Sequence, residues 1–92
     1  MIELRWTNAA VTDLERIADY LFEQTPEHAS RIVRAIYDAP LKLREFPGLG
    51  RPGKVDGTRE LILTSLPYLL VYVQAGDIIH LVRILHGAQK WP

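Results

Sequence analysis

The sequence predicts a small α+β domain, in which an antiparallel β-sheet of about four strands carries an N-terminal hairpin of two helices on one face. Three observations lead to this fold class. The first residues alternate apolar and charged side chains, two longer segments then place apolar residues at helical spacing, and three β-type runs fill the second half. With 92 residues, the chain has the length of one domain, so we expect residues 1–92 to fold as a unit.

The chain begins with a strand and continues with a helix. Ile2, Leu4 and Trp6 alternate with charged residues, as in a half-buried strand. Thr7 or Asn8 can then cap a helix over roughly residues 8–24, because either side-chain oxygen can accept from a first-turn N–H. The apolar stripe of this helix is predicted to comprise Val11, Leu14, Ile17, Ala18, Leu21 and Phe22, and its polar face Asp13, Glu15, Arg16, Asp19 and Glu23.

A second helix is predicted to begin at Thr25 and Pro26, since proline is favoured at the first helical position. Its apolar stripe is Ala29, Ile32, Val33, Ile36, Leu43 and Phe46. Pro40 lies inside this stripe and lacks a backbone donor, so the helix should kink or break near residues 36–40. The two helices then form an antiparallel hairpin.

The second half predicts a loop and three strands. Proline and glycine are concentrated in residues 47–57, which indicates a loop. The β-type runs are residues 59–64, 68–74 and 78–86, and Gly76 provides a hairpin turn between the last two. The first strand must pair with one of these. Because nothing else in the chain is predicted to cover the second sheet face, we expect a site or a partner there.

Charge and composition argue against a protein that depends on phosphate contacts and against a membrane protein. The 11 basic residues equal the 11 acidic residues in number, whereas phosphate-binding proteins usually carry a basic excess. Residues 1–46 contain six Lys/Arg and eight Asp/Glu, and residues 47–92 contain five and three, so an anion-facing surface should lie in the second half. The absence of cysteine suits a reducing cytoplasm, where we expect this protein to act without membrane insertion.

The histidines do not predict a metal site. His80 and His86 share a parity on the last strand, but six residues of strand separate them by about 20 Å. The sequence contains no tight His/Asp/Glu cluster that could supply three or four ligands. We therefore expect neither a metal nor another cofactor.

The residues best suited to chemistry are the basic residues of the second half: Arg51, Lys54, Arg59, Arg83, His86 and Lys90. Metal-free RNA cleavage needs cations at the phosphate and a proton-transfer group, which arginine and histidine supply. The alternative is that these are ordinary surface charges, with Arg83 paired to Glu60. Arg83 and His86 are three residues apart, so a regular strand turns them to opposite sides unless it bulges or ends between them.

Four blocks in order carry a family resemblance: residues 46–52 (FPGLGRP), 59–61 (REL), 67–72 (PYLLVY) and 82–89 (VRILHGAQ). With the strand–helix–helix start, they span nearly the whole chain. The sequence resembles the RelE/ParE superfamily of type II toxin–antitoxin toxins. The resemblance implies a small toxin that a cognate antitoxin holds inactive, with a toxin–antitoxin hetero-oligomer as the resting form.

The resemblance is nearer to the ParE branch, which implies DNA gyrase as the target. Gly53 stands where the nuclease pattern has a glutamate, and Leu69 stands where it has an arginine. The alternative is a RelE-like, metal-free nuclease that cuts ribosome-bound mRNA. In that alternative the catalytic residues are Arg51, Arg59, Arg83 and His86. Contacts to the target are assigned to Lys54, Tyr68, Lys90 and Trp91.

The apolar content predicts that the isolated chain is marginally stable and that its antitoxin lays an amphipathic helix or an added strand over exposed apolar surface. A partner that binds only the folded state raises stability by mass action. We expect the melting temperature to rise when the antitoxin is co-expressed. Equal melting temperatures with and without it would contradict this.

Overall fold

A computed structural model describes residues 1–87, 89 and 91, and it confirms the α+β class. The elements, in chain order, are β1 (Glu3–Trp6), α1 (Asn8–Gln24), α2 (Pro26–Asp38), a 3₁₀ helix (Ala39–Arg44), β2 (Arg51–Pro52), β3 (Thr58–Ile62), β4 (Tyr68–Ala75) and β5 (Ile78–His86). The strands form one sheet in the order β1-β5-β4-β3-β2. In the described part of the chain, no helix is both long and apolar enough to traverse a bilayer.

The sheet differs from the predicted one in two respects. It is mixed, since β1 lies parallel to β5, whereas the β2–β3, β3–β4 and β4–β5 pairs are antiparallel. The two helices carry the chain away from β1, so the alternation of direction that tight turns impose on the later strands does not extend to it. The second difference is β2, two residues inside the predicted loop, which makes five strands.

The start of α1 is fixed by the predicted cap. The Thr7 hydroxyl accepts from the Ala10 N–H at 3.1 Å and donates to the Val82 carbonyl at 3.0 Å. One side chain therefore satisfies a first-turn donor and also ties the helix to β5.

The buried stripe of α1 differs from the predicted one. Ala10 and Leu21 are buried, and so is Asp13, which was assigned to the polar face. Val11 and Phe22, assigned to the apolar stripe, are half exposed. Residues 10, 13, 17 and 21 also recur at steps of three and four, so helical spacing alone did not decide between the two stripes.

The predicted break at Pro40 is confirmed. Helix α2 ends at Asp38, and the chain continues as a 3₁₀ helix through Arg44. The tighter helix keeps Pro40 and Leu43 buried in spite of the missing donor.

A β-bulge in β5 changes the faces of its last residues. Val71 lies opposite Arg83, but Tyr72 lies opposite Leu81, so Val82 is the extra residue. The predicted common face for the histidines is therefore wrong. His80 lies opposite Val73, on the side turned away from the helices, whereas His86 lies opposite Tyr68, on the helix side.

The core lies between the helices and one face of the sheet, where Tyr72 is fully buried. Its hydroxyl donates to the Pro47 carbonyl and accepts from the Gly50 N–H, each at 2.8 Å. These bonds hold the proline–glycine loop against the sheet. They also determine where β2 begins, because the Gly50 N–H turns toward Tyr72 and not along the edge of β3.

We expect Gly50→Ala to destabilise the fold. An added Cβ would lie 2.7 Å from Tyr72 Cε1 and 2.9 Å from the Glu60 carbonyl oxygen, and this backbone oxygen cannot move aside as a flexible side chain could. Overpacking of this kind costs about 1–3 kcal/mol. Gly48→Ala is the control, since no atom lies within 4 Å of its added Cβ. Equal melting temperatures for the two variants would contradict the close packing at Gly50.

Candidate functional site

The outer face of the sheet, meaning the face turned away from the helices, carries a row of four residues in register. Arg51 lies opposite Glu60, Glu60 opposite Val71, and Val71 opposite Arg83. We call these four residues the cross-strand row. Strand spacing places Arg51 and Arg83 about 14 Å apart along it. Two predicted site residues thus stand at opposite ends of the row.

At one end of the row, Arg51 forms an ion pair with Glu60. The guanidinium nitrogen lies 3.1 Å from the carboxylate oxygen, and the Glu60 side chain is only 6% exposed. A buried carboxylate left without a cation is costly, so this pair fixes Arg51 against the sheet.

At the other end, Arg83 binds Asp13 of α1 through two nitrogens, at 2.7 and 3.0 Å. The same carboxylate accepts from the Ile84 N–H at 2.9 Å, just beyond the bulge. The alternative interpretation, in which Arg83 pairs with Glu60, is wrong in its partner, because Glu60 is bound to Arg51 and Arg83 to Asp13. The donation to Asp13 raises the pKa of Arg83 above its ordinary value, against the smaller opposing effect of burial.

Arg59 and His86 belong to the helix side of the sheet. Arg59 lies opposite Tyr72 and donates to the Gly50 carbonyl at 2.7 Å. The His86 ring meets Tyr68 edge-on, with 5.7 Å between ring centres, and its backbone N–H donates to Gln89 Oε1 at 2.6 Å. The four predicted catalytic residues are thus divided between the two faces.

The predicted target contacts have different surroundings. Lys54 is exposed in the loop before β3, and the Trp91 ring centre lies 6.0 Å from the Arg83 guanidinium carbon. Tyr68 is buried in the core, and burial raises the pKa of its hydroxyl. Lys90 lies outside the described residues.

The outer face is less open than predicted. Val71 and Leu85 on this face are almost completely buried. Val71 is flanked in register by Glu60 and Arg83 of the cross-strand row. Within the ranges that the structure describes, no three His, Asp or Glu side chains form a group that could hold a metal ion.

The outward side of the helical hairpin carries an apolar groove. Two adjoining cavities, of about 370 and 410 Å³, share Leu14, Val33 and Tyr37 in their walls. Phe22 and Tyr37 are about half exposed there, and Tyr37 stacks on Trp6 with 5.6 Å between ring centres. We call this surface the hairpin groove. Its apolar walls agree with the expectation of exposed apolar surface for a partner.

Sequence reasoning missed Asp13 and misassigned Glu60. Asp13 stands at helical spacing from Ala10 and Ile17, and an acidic residue in such a stripe is a signal for a buried partner. No comparable signal identifies Arg83 as that partner, because the contact spans 70 residues of sequence.

Comparison with known proteins places this α+β fold among small bacterial toxins. Residues 4–91 match the family model described as the ParE toxin of the type II toxin–antitoxin system parDE. Toxin RelE2 of Caulobacter vibrioides is 35% identical over 89 residues, covering 97% of this chain and 99% of the relative. A putative toxin of Sinorhizobium fredii, Y4kP, is 37% identical over 89 residues, covering 97% and 92%.

Solved structures agree with this assignment. A structure described as the chromosomal ParDE toxin–antitoxin system of P. aeruginosa aligns with a TM-score of 0.82 and 34% identity, over 94% of this chain and 96% of that one. A chain of the RelBE2 toxin–antitoxin complex of Mycobacterium tuberculosis shares the fold, with a TM-score of 0.69, 22% identity and coverage of 92% and 96%. The chain therefore belongs to the ParE toxin family, and its class of partner is a cognate antitoxin.

We expect Asp13→Asn to destabilise the protein strongly. The neutral amide gives up the charge-assisted bonds to Arg83, which are worth about 1.5–3 kcal/mol. For a domain of this size, each kcal/mol lowers the melting temperature by about 4–8 °C. Asp19→Asn, on an exposed position of the same helix, is the matched control and should change little. Similar melting temperatures for both variants would show that Asp13 does not hold α1 to β5.

Proposed function

We propose that this protein is a toxin that inhibits DNA gyrase by binding to it, and that its antitoxin prevents this binding. The observation that carries the proposal is the division of the four candidate catalytic residues between two sheet faces. Arg51 lies on the outer face beside Glu60, the Arg83 guanidinium is bound to Asp13 of α1, and Arg59 and His86 lie on the helix side, opposite Tyr72 and Tyr68. Phosphate neutralisation and proton transfer at one scissile bond need their groups within a few ångströms of each other.

The bonding of the three arginines supports the same proposal. Arg51 is paired with Glu60, Arg83 with Asp13, and Arg59 with the Gly50 carbonyl. A carboxylate partner neutralises part of the guanidinium charge, and the N–H groups bound to any acceptor are no longer offered to a phosphate, so both effects lower the affinity for RNA. The bonds of these three arginines therefore favour a structural role for them over neutralisation of a phosphate.

The surroundings of His86 also favour a structural role over an acid–base role. Its ring packs on Tyr68, and the turn at Gln89 caps its backbone N–H. A structural His86 would fix the end of β5 through this contact with Tyr68, since the Tyr72 hydroxyl is bonded to the Gly50 N–H and the Pro47 carbonyl.

A His86→Gln substitution should retain toxicity. Glutamine keeps a donor and an acceptor but cannot exchange protons near neutral pH, so a catalytic His86 would lose about 10²–10⁴ in rate. Growth after controlled expression is the first readout. DNA cleavage and supercoiling by purified gyrase, and mRNA cleavage on purified ribosomes, then separate the two targets.

Abolished toxicity of a folded, antitoxin-binding His86→Gln protein would overturn the gyrase proposal in favour of RNA cleavage. In that case, cleavage should persist in EDTA, because the proposed nuclease residues include no set of metal ligands. Removal of residues 90–92 should weaken gyrase inhibition. Charge reversal at Arg83 is a poor functional test, since it would place a carboxylate beside Asp13 and destabilise the fold.

A further inference from the structure

Trp91, the last residue that the structure describes, is held against the fold without using its hydrogen-bond donor. Its side chain is half-buried, and the indole Nε1–H is shielded from solvent. Among the described residues, this N–H has no acceptor. A buried donor without an acceptor costs free energy, so another contact has to hold the ring in this position.

In the described part of the chain, the contact that offsets this cost is with Arg83. The guanidinium carbon lies over the Trp91 ring, 6.0 Å from the ring centre. At this distance a cation is still attracted to the face of an aromatic ring, and tryptophan is the best of the aromatic partners. The position of the ring therefore depends on this cation.

The Arg83 guanidinium is itself fixed by Asp13. The carboxylate binds Nε and one terminal nitrogen, at 2.7 and 3.0 Å. Both nitrogens lie along one edge of the planar group, so its faces remain available for an aromatic ring. Because its edge is bound, the guanidinium presents its face to Trp91 in one orientation.

A turn after β5 brings Trp91 back to Arg83. Eight residues of extended chain would separate the two by about 26 Å. The Gln89 N–H donates to the His86 carbonyl at 2.9 Å, and the His86 N–H donates to Gln89 Oε1 at 2.6 Å. These two bonds reverse the chain, and the Arg83 contact then fixes the ring.

We propose that Arg83 is a positioning residue, which holds Trp91 in the orientation in which Trp91 contacts the target. This inference rests on the proposed function, in which the C-terminal residues contribute to the inhibition of gyrase. A side chain that is already oriented loses less conformational freedom on binding than one on an unattached segment, so its affinity is higher. Arg83 thus acts on the target through Trp91 and not by a contact of its own.

Fluorescence tests whether Arg83 holds the ring. Trp6→Phe leaves Trp91 as the one tryptophan of the chain and keeps an aromatic ring beside Tyr37. In this background, Arg83→Lys keeps a cation for Asp13 but removes the planar face. We expect the Trp91 emission to move to longer wavelength and its quenching by acrylamide to increase, because the ring becomes hydrated.

Gly50→Ala in the same Trp6→Phe background is the control for a general loss of stability, since its added Cβ would meet Tyr72 and the Glu60 backbone. All variants are compared at a temperature at which circular dichroism shows each to be folded. The alanine variant should leave the Trp91 emission unchanged. The proposal is overturned if the lysine variant also leaves the emission unchanged, or if the alanine variant shifts it equally.

A double-mutant cycle tests whether Arg83 acts on gyrase through Trp91. The readout is the toxin concentration that halves DNA supercoiling by purified gyrase. Arg83→Lys should raise this concentration by about two- to thirtyfold, the range that one cation–π contact is worth. Trp91→Leu should raise it at least as much, and the double variant should be no weaker than Trp91→Leu alone. Losses that multiply would show that Arg83 acts independently of Trp91 and would overturn the proposal.

A second comparison keeps Arg83 unchanged. Trp91→Phe retains an aromatic face for the guanidinium, whereas Trp91→Leu retains only apolar bulk. The phenylalanine variant should therefore weaken gyrase inhibition less than the leucine variant. Equal losses would contradict the cation–π contact, and this comparison decides if the Arg83→Lys protein does not fold.

The outcomes separate this inference from the proposed target. If the unchanged chain does not inhibit gyrase, the target proposal fails. The same cycle is then measured on growth after controlled expression, where multiplying losses again overturn the role of Arg83. If gyrase is inhibited and Trp91→Leu is as effective as the unchanged chain, the target proposal stands and this inference is overturned.

Discussion

The carboxylate of Asp13 joins the helical hairpin to the sheet at the point where β5 is irregular. Beyond Trp6, β1 no longer pairs with β5, and the bulge at Val82 interrupts the ladder on the other side. Asp13 supplies an acceptor for the Ile84 N–H there and holds Arg83 at the same time. Because an unpaired buried donor is costly, the position of α1 and the end of β5 depend on each other.

The charged residues of the cross-strand row are therefore bound to other residues of the fold. Glu60 and Asp13 each neutralise an arginine, and the pairs lie at the two ends of the cross-strand row. A surface of paired charges can discriminate between partners by shape and orientation while contributing little net attraction for a polyanion. Such a surface suits recognition of a protein better than transfer of a proton.

Much of the architecture could be predicted from the sequence, because local signals specify it. Thr7 as a cap, the break at Pro40 and the turn at Gly76, whose φ is +60°, depend on a few neighbouring residues each. The parallel pairing of β1 and the bulge at Val82 depend on contacts between distant segments, which period-2 patterns do not encode. The faces of the candidate site residues could not be predicted for that reason, because the bulge and the Asp13 contact decide which face each one occupies.

The bulge at Val82 also decides which face of the sheet each later residue of β5 occupies. One added residue moves each of these side chains to the opposite face, although the sequence after the bulge is unchanged. Ile84 and Leu85, which lie on opposite faces, are both apolar and both buried, so an exchange of faces would leave an apolar side chain at each position. Arg83 and His86 are not interchangeable in this way. Gain or loss of a single residue here is thus a short evolutionary step by which one scaffold can present a different set of groups on each side.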